Sequence, residues 1–410
     1  MQSRVPARVR RGLSGVVAAA LAASLLGGGG VVFAGGGGPA CTVRIGEAAR
    51  KYDTVQAAVD AADPGAVIHV AGTCTGTVTV ATRLTIRGVP SGTPRIAAPE
   101  GARAIEVLAT GKLTLAGLRI VGAGQVTGAP GGVARVAGAL TVTASTITGG
   151  DAQLGGGGIA VLADASLVLG RGARVTANRA DGDGGGIRSE GSVTMRANAR
   201  VDANEAPGQG GGGIQAAAGS LAISGTARVD HNSARYGGGI ATLPGSVTTI
   251  GGRASIEHNT VTQQSAGIEN GGKLLMKGLA SVEFNDSLGD AGAGGIGSWG
   301  SAGARIIGRA SVHHNSGDSA GGIGAWGGTF FVGGRATIRD NSARIGGGAW
   351  VDGGDLVLAD GARIVGNSAT ESGGGIYVES GSIDGACGTG RVRGNTAPAD
   401  PQISPACPVS

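Results

Sequence analysis

The sequence predicts an all-β protein: a right-handed parallel β-helix, or β-solenoid, of roughly twelve coils of about 27 residues, closed at its N-terminal end by a short capping helix. Three observations predict it. An asparagine recurs as Asn178, Asn204, Asn232, Asn259, Asn285, Asn315, Asn341, Asn367 and Asn395, at intervals of 26 to 30 residues. Each interval holds three short alternating apolar segments, as in Ser166-Leu167-Val168-Leu169. The composition, with 86 glycines among 410 residues and only four Phe, three Trp and three Tyr, leaves a core to be built from Val, Ile, Leu and Ala.

The marker is a motif rather than a lone residue. Val or Ile stands three places before every one of the nine asparagines, from Val175 before Asn178 to Val392 before Asn395. Eight to eleven residues after each of the first eight, a glycine cluster is closed by Ile187, Ile214, Ile240, Ile268, Ile296, Ile323, Ala349 or Ile376. About 27 residues are too few for a globular unit and suit one solenoid coil, in which every strand pairs with those above and below at about 4.8 Å. Asparagine at one turn position in successive coils predicts a ladder of side-chain amides, each donating to the next. These nine are read as structural.

Domain organisation follows in chain order. Arg4, Arg8, Arg10 and Arg11 precede the apolar run Leu13 to Leu26 and the small-residue exit Val32-Phe33-Ala34, with no acid before Glu47. That pattern predicts a secretory signal over residues 1–34, too short in its apolar part for a membrane span. Without those arginines 29 basic residues face 28 acidic ones, so the overall charge of +5 is no argument for nucleic acid. Residues 35–52 form an N-terminal segment and 53–410 the β-helix domain. Within it, Asp53 is expected as N-cap of a helix near 54–62, with Val55, Ala58, Val59 and Ala62 on one face. The regular repeats run over 155–395. In an oxidising compartment the economical pairing of the cysteines is Cys41 with Cys74 and Cys387 with Cys407, the second closing the end at 387–407; other pairings remain open.

The stretch from Asp53 to Thr73, DTVQAAVDAADPGAVIHVAGT, resembles the capping helix and first strand of pectin-lyase-like right-handed β-helix proteins. The paired Gly-Gly-Gly-Ile and Val-x-x-Asn motifs are similar to the Gly-Gly-Ala-Ile and Phe-x-x-Asn repeats of chlamydial polymorphic outer-membrane proteins, with Val or Ile in place of Phe throughout. The first resemblance implies the fold. The second implies surface adhesion, although no barrel of amphipathic strands follows Asn395.

Candidate functional residues emerge once the closing Ile of each repeat is set inward, which turns the residues one and three places later outward. These are Ala160 and Leu162, Arg188 and Glu190, Gln215 and Ala217, Ala241 and Leu243, then Glu269 and Gly271. In the next four coils the strip carries Trp299, Trp326, Trp350 and Tyr377, a predicted stacking platform for sugar rings or a partner surface. Asp352 and Glu379 are the candidate catalytic acids, at a separation near that of a retaining glycosidase. Asp202, Asp230, Glu257 and Glu283 form a second column two places before the asparagines. Arg200 and Arg228 are expected to neutralise the first two, whereas Glu257 and Glu283, with Asp286 and Asp290, are the candidate calcium ligands. His231, His258 and His314 precede ladder asparagines and are expected to pack at the turn rather than to bind zinc.

The expected function is thus a secreted or surface-exposed, non-catalytic rod for adhesion or for binding a polysaccharide or surface protein, with no cofactor. The alternative is a carbohydrate-active enzyme, a polysaccharide lyase or glycoside hydrolase.

Overall fold

The computed structural model describes residues 40–90, 94–289, 292–359 and 361–405. The expected leader, Asp290 and Cys407 lie outside the described residues. The described chain is an all-β parallel β-solenoid of about 12 turns with a repeat of about 27 residues.

Each coil lays one strand on each of three long sheets. A 14-stranded sheet runs from Thr42–Ile45 to Gly381–Asp384, and a second sheet of 13 strands runs from Thr73–Thr75 to Val392–Arg393. The third, also of 13 strands, runs from Val78–Val80 to Ile403–Ser404. The strand pairings among the described residues are parallel except the first, where Thr42–Ile45 runs antiparallel to Val67–Ala71. In the middle coils the segment after the asparagine adds a fourth contact, a seven-stranded sheet from Gln125–Val126 to Asp286–Ser287, beyond the three segments per coil that the sequence suggests.

Alternation along each short strand turns Val, Ile and Leu into one continuous core. Ile187, Ile214, Ile240, Ile268, Ile296 and Ile323 stack in register and are fully or almost fully buried. Each such side chain removed from water contributes about 2 kcal/mol, so stacking replaces the large aromatic core that the composition lacks.

The corner beside this core is the asparagine ladder. The backbone N–H and the Nδ2 of Asn204 both donate to Asn232 Oδ1 at 3.0 Å, while Nδ2 also donates to the Val175 carbonyl at 3.1 Å. All nine predicted asparagines take part. Asn178 Nδ2 donates to Asn204 at 2.9 Å at one end, and the same amide bond recurs through Asn259, Asn285 and Asn315. It continues from Asn315 to Asn341 and from Asn341 to Asn367, both at 2.9 Å, and from Asn367 to Asn395 at 3.0 Å. Asn341 and Asn367 also donate Nδ2 to the carbonyls of Val312 and Ile338, so each is as fully engaged as Asn204.

The residue before each asparagine has positive φ, 54° at His231 and 64° at Gly394, so the chain turns sharply there. The glycine that precedes each closing Ile faces the ladder. A Cβ on Gly213 would stand 2.6 Å from the Gly239 carbonyl oxygen and 2.9 Å from Asn232 Nδ2, which explains why the motif ends in glycine.

The N-terminal end is covered by the helix Val55–Asp60, whose N-cap is Thr54 rather than Asp53: the Thr54 hydroxyl accepts from the Ala57 N–H at 3.0 Å. Val55 and Ala58 are buried, with Val59 and Ala62 partly so. Gln56 Oε1 accepts from the Thr79 N–H at 2.7 Å and so closes part of the edge of strand Val78–Val80. Cys41 and Cys74 are disulfide-bonded, with Cα atoms 4.8 Å apart. Cys387 is also disulfide-bonded.

Candidate functional site

The outward face of the third sheet keeps one register through nine coils. The position after the closing Ile reads Ala160, Arg188, Gln215, Ala241, Glu269, Gly297, Gly324, Trp350 and Tyr377. The alternation is as expected, but solvent exposure is not. Gln215 is 2% exposed and Glu269 5%, because the segments that follow the asparagines fold over them. Strand Glu205–Gly210 brings Gly210 so close that a Cβ there would stand 3.0 Å from Gln215 Oε1, and Ser265 donates its backbone N–H to Glu269 at 3.2 Å.

Between these segments and the sheet lies a cleft of about 530 Å³. Tyr236 and Trp299 supply its aromatic walls, Leu243 and Ala241 its apolar surface, and Gln215, Glu269 and Asp183 its polar groups. Two polar side chains in it are unusual. Gln215 Oε1 is buried without a hydrogen-bond partner, an acceptor left open where most buried polar groups are paired. Burial pushes the Glu269 carboxyl from 4.5 up to about 7, opposed only by its contacts with Ser265. Glu269 is therefore a neutral acid, able to donate a proton in a hydrogen bond, until near pH 7.

Of the four aromatic residues in the predicted strip, only Trp299 lines this cleft. All four are half-buried. Trp299 lies on Gly271, its Cζ2 2.5 Å from where a Cβ would be. Trp326 covers Gly297 and Gly324 in the same way, and Trp350 meets it edge-on at 5.8 Å. Trp299 pairs in register with Trp326, whereas Trp350 pairs with Gly324 and Tyr377, so the strip consists of two offset columns.

Asp352 and Glu379 stand apart from the cleft. The Asp352 carboxylate accepts from the Ser380 hydroxyl at 2.8 Å, and Glu379 is exposed. Glu257 and Glu283 do adjoin in register, yet each has its own partner: Arg228 at 2.8 Å from Glu257, and the Ser281 hydroxyl at 2.7 Å from Glu283. His313 Nε2 also lies 3.4 Å from Glu283, and burial of the His313 ring lowers its pKa. Asp286 lies beyond the asparagine corner, on the strand Asp286–Ser287. Among the described residues no three His, Cys, Asp or Glu side chains converge as a metal site.

The other acids of that column are neutralised one coil out of step with expectation. Arg174 holds Asp202 and Arg200 holds Asp230, whereas Arg200 and Asp202 of one coil are 3.7 Å apart. Those carboxylates hold the Arg174 and Arg200 guanidinium groups above their ordinary pKa. His231, His258, Phe284 and His314 stack at the turn, with ring centroids 5.0, 5.2 and 4.9 Å apart.

No family model matches the chain, and comparison with curated proteins and with solved structures finds no similar protein.

Proposed function

We propose that the protein is a secreted or surface-exposed, non-catalytic solenoid that binds glycan through the cleft on the outward face of its third sheet. The observation that carries this reading is the combination of Trp299 and Tyr236 walls with the buried, unpartnered Gln215 Oε1. Aromatic faces pack on the C–H faces of sugar rings, and an open buried acceptor calls for a hydroxyl donor. Secretion is read from the pattern of residues 1–34, and adhesion from the motif resemblance alone, to which the comparisons with known proteins add no support.

The test is a glycan array followed by titration of hits against Trp299→Ala and Trp326→Ala. Trp299→Ala is expected to weaken binding by about 5- to 100-fold, the range of an interface anchor. Trp326→Ala, outside the cleft, is expected to leave binding within twofold. Equal losses for both variants would move the site to the ring strip.

One observation favours the enzymatic alternative: two carboxyl groups, Glu269 and Asp183, line the same cleft. Chain shortening of a bound polysaccharide, abolished by Glu269→Gln, would establish hydrolysis or elimination in place of simple binding.

A further inference from the structure

The charge of the ligand can be read from the cleft. Among the described residues its lining carries two acids, Asp183 and Glu269, the amides of Gln209, Gln215 and Gln264, and no Lys, Arg or His. Two nearby arginines stand outside the lining, Arg188 paired with an acid and Arg235 with a neutral amide. Arg188 is 2.8 Å from Glu190, and Arg235 donates to Gln263 at 2.9 Å while stacking 5.0 Å from the Tyr236 ring centroid. A uronate or sulfate entering the cleft would lose its hydration and meet two acids and no cation among the described lining residues, a penalty that hydrogen bonds to neutral amides offset only in part.

Resting on the glycan-binding reading above, we infer that the cleft selects an uncharged, hydroxyl-rich oligosaccharide, held by donation of a sugar hydroxyl to Gln215 Oε1, and excludes anionic saccharides. Gln215 is the specificity-determining group. It is buried, its carbonyl oxygen is unpartnered, and it lies two coils from Glu269 in the same outward column. Glu269, held in its acid form by burial, presents a second neutral polar group to the same ligand and becomes a repelling charge for an anion once ionised. The negative π faces of Trp299 and Tyr236 offer an anion no attraction, and the choice among uncharged ligands falls to the polar groups.

The experiment uses intrinsic tryptophan fluorescence as readout, Trp299 being the one of the three tryptophans that lines the cleft. Neutral tetrasaccharides (cello-, xylo-, manno-, laminari- and maltotetraose) are titrated beside tetragalacturonate, an alginate tetramer and a sulfated heparin tetrasaccharide, at pH 6 and low salt. At least one neutral ligand is expected to bind ten times more tightly than every anionic one. Gln215→Met is expected to weaken that binding tenfold or more, and its melting curve, recorded alongside, reports folding. Gln209→Ala, at the rim, is a second variant in case Gln215→Met does not fold, with an expected loss of two- to fivefold.

Anionic ligands that bind as tightly as neutral ones, or a folded Gln215→Met protein with unchanged affinity, would overturn the inference while leaving the glycan reading in place. For an unfolded Gln215→Met, a Gln209→Ala protein with unchanged affinity has the same consequence. Absence of binding by either class would remove the glycan reading and this inference with it.

Discussion

The asparagine corner and the outward face of the neighbouring sheet are built by the same device, one position repeated at strand spacing, and they use it in opposite ways. At the corner the same residue recurs nine times, and its amide donors and acceptor are satisfied by the column and by the backbone carbonyls beside it. On the outward face the register is kept just as strictly, yet the residue changes from Arg188 to Gln215, Ala241, Glu269, Gly297, Gly324 and Trp350. There one buried acceptor, Gln215 Oε1, stays open. Repetition of identity marks what each coil needs in order to stack. Change of identity in an unbroken register marks what stacking does not need, and it is there that a binding site can be built without disturbing the fold.

The strongest way to break this comparison is to make the same kind of change in both columns. Asn285→Leu takes the acceptor from two donors of Asn259, its backbone N–H at 3.0 Å and its Nδ2 at 2.9 Å, and removes the donor to the Ile256 carbonyl at 2.9 Å. Buried groups left unpaired cost about 1 to 3 kcal/mol each, so a loss of about 3 to 5 kcal/mol is expected in urea unfolding. Gln215→Leu removes an acceptor that has no partner, and is expected to change stability by less than about 1 kcal/mol in either direction. Comparable losses at both positions would mean that the outward column is as structural as the ladder.

The difference between the columns also explains how far the sequence is legible. Whatever recurs is visible: the asparagines, the Val or Ile three places before them and the closing Ile predict the coil, the core and the register. The outward orientation of Gln215, Glu269 and Trp299 is visible too, because alternation along a strand needs no knowledge of neighbours. What is hidden is the cover over Gln215 and Glu269. It comes from segments after the asparagines that vary in length and lack a repeating pattern, so the cleft follows from which loop folds over which coil. The half-buried state of the aromatic strip is hidden for a related reason: Trp326 packs on Gly297 and Gly324, and Trp350 meets its ring edge-on. The burial of Trp326 depends on the absence of side chains beneath it, a feature of two coils at once. The diagonal pairing of Arg174 with Asp202 likewise depends on the reach of a long side chain across the coil spacing.

A second prediction uses the titration of Glu269. Its carboxyl ionises near 4.5 in the unfolded chain and at about 7 when folded. Below pH 4.5 both states are protonated and burial of the neutral acid carries no ionisation penalty. Between pH 4.5 and 7 only the unfolded chain has released the proton, so stability falls as pH rises, by about 3 kcal/mol in total, and levels off above pH 7. Glu269→Gln is expected to lose this component. Unfolding free energies of the two proteins across about pH 4 to 8 should therefore diverge by about that amount, with wild type the less favoured at high pH. Parallel profiles would mean that water reaches the carboxyl more freely than the 5% exposure of Glu269 implies.

The smallest effect sharpens the comparison from within the ladder itself. The column ends on Gln402, whose Oε1 accepts from the Asn395 Nδ2 at 3.0 Å and whose Nε2 donates to the Asn395 carbonyl at 3.1 Å. Gln402 arrives from the chain seven residues later rather than from the next coil, outside the repeat, which is why the spacing of the asparagines does not announce it. It is half-exposed, so water can take its place once the side chain is cut back. Gln402→Ala is therefore expected to cost about 1 kcal/mol, against about 3 to 5 kcal/mol for the same bonds broken at Asn285. Hydrogen exchange should show the Asn395 amide opening faster, with the amides of Asn285 and Asn315 unchanged. If Gln402→Ala were as costly as Asn285→Leu, the ladder would act as one cooperative unit rather than as a sum of coil-to-coil bonds. Its terminal amide would then matter as much as any in the middle.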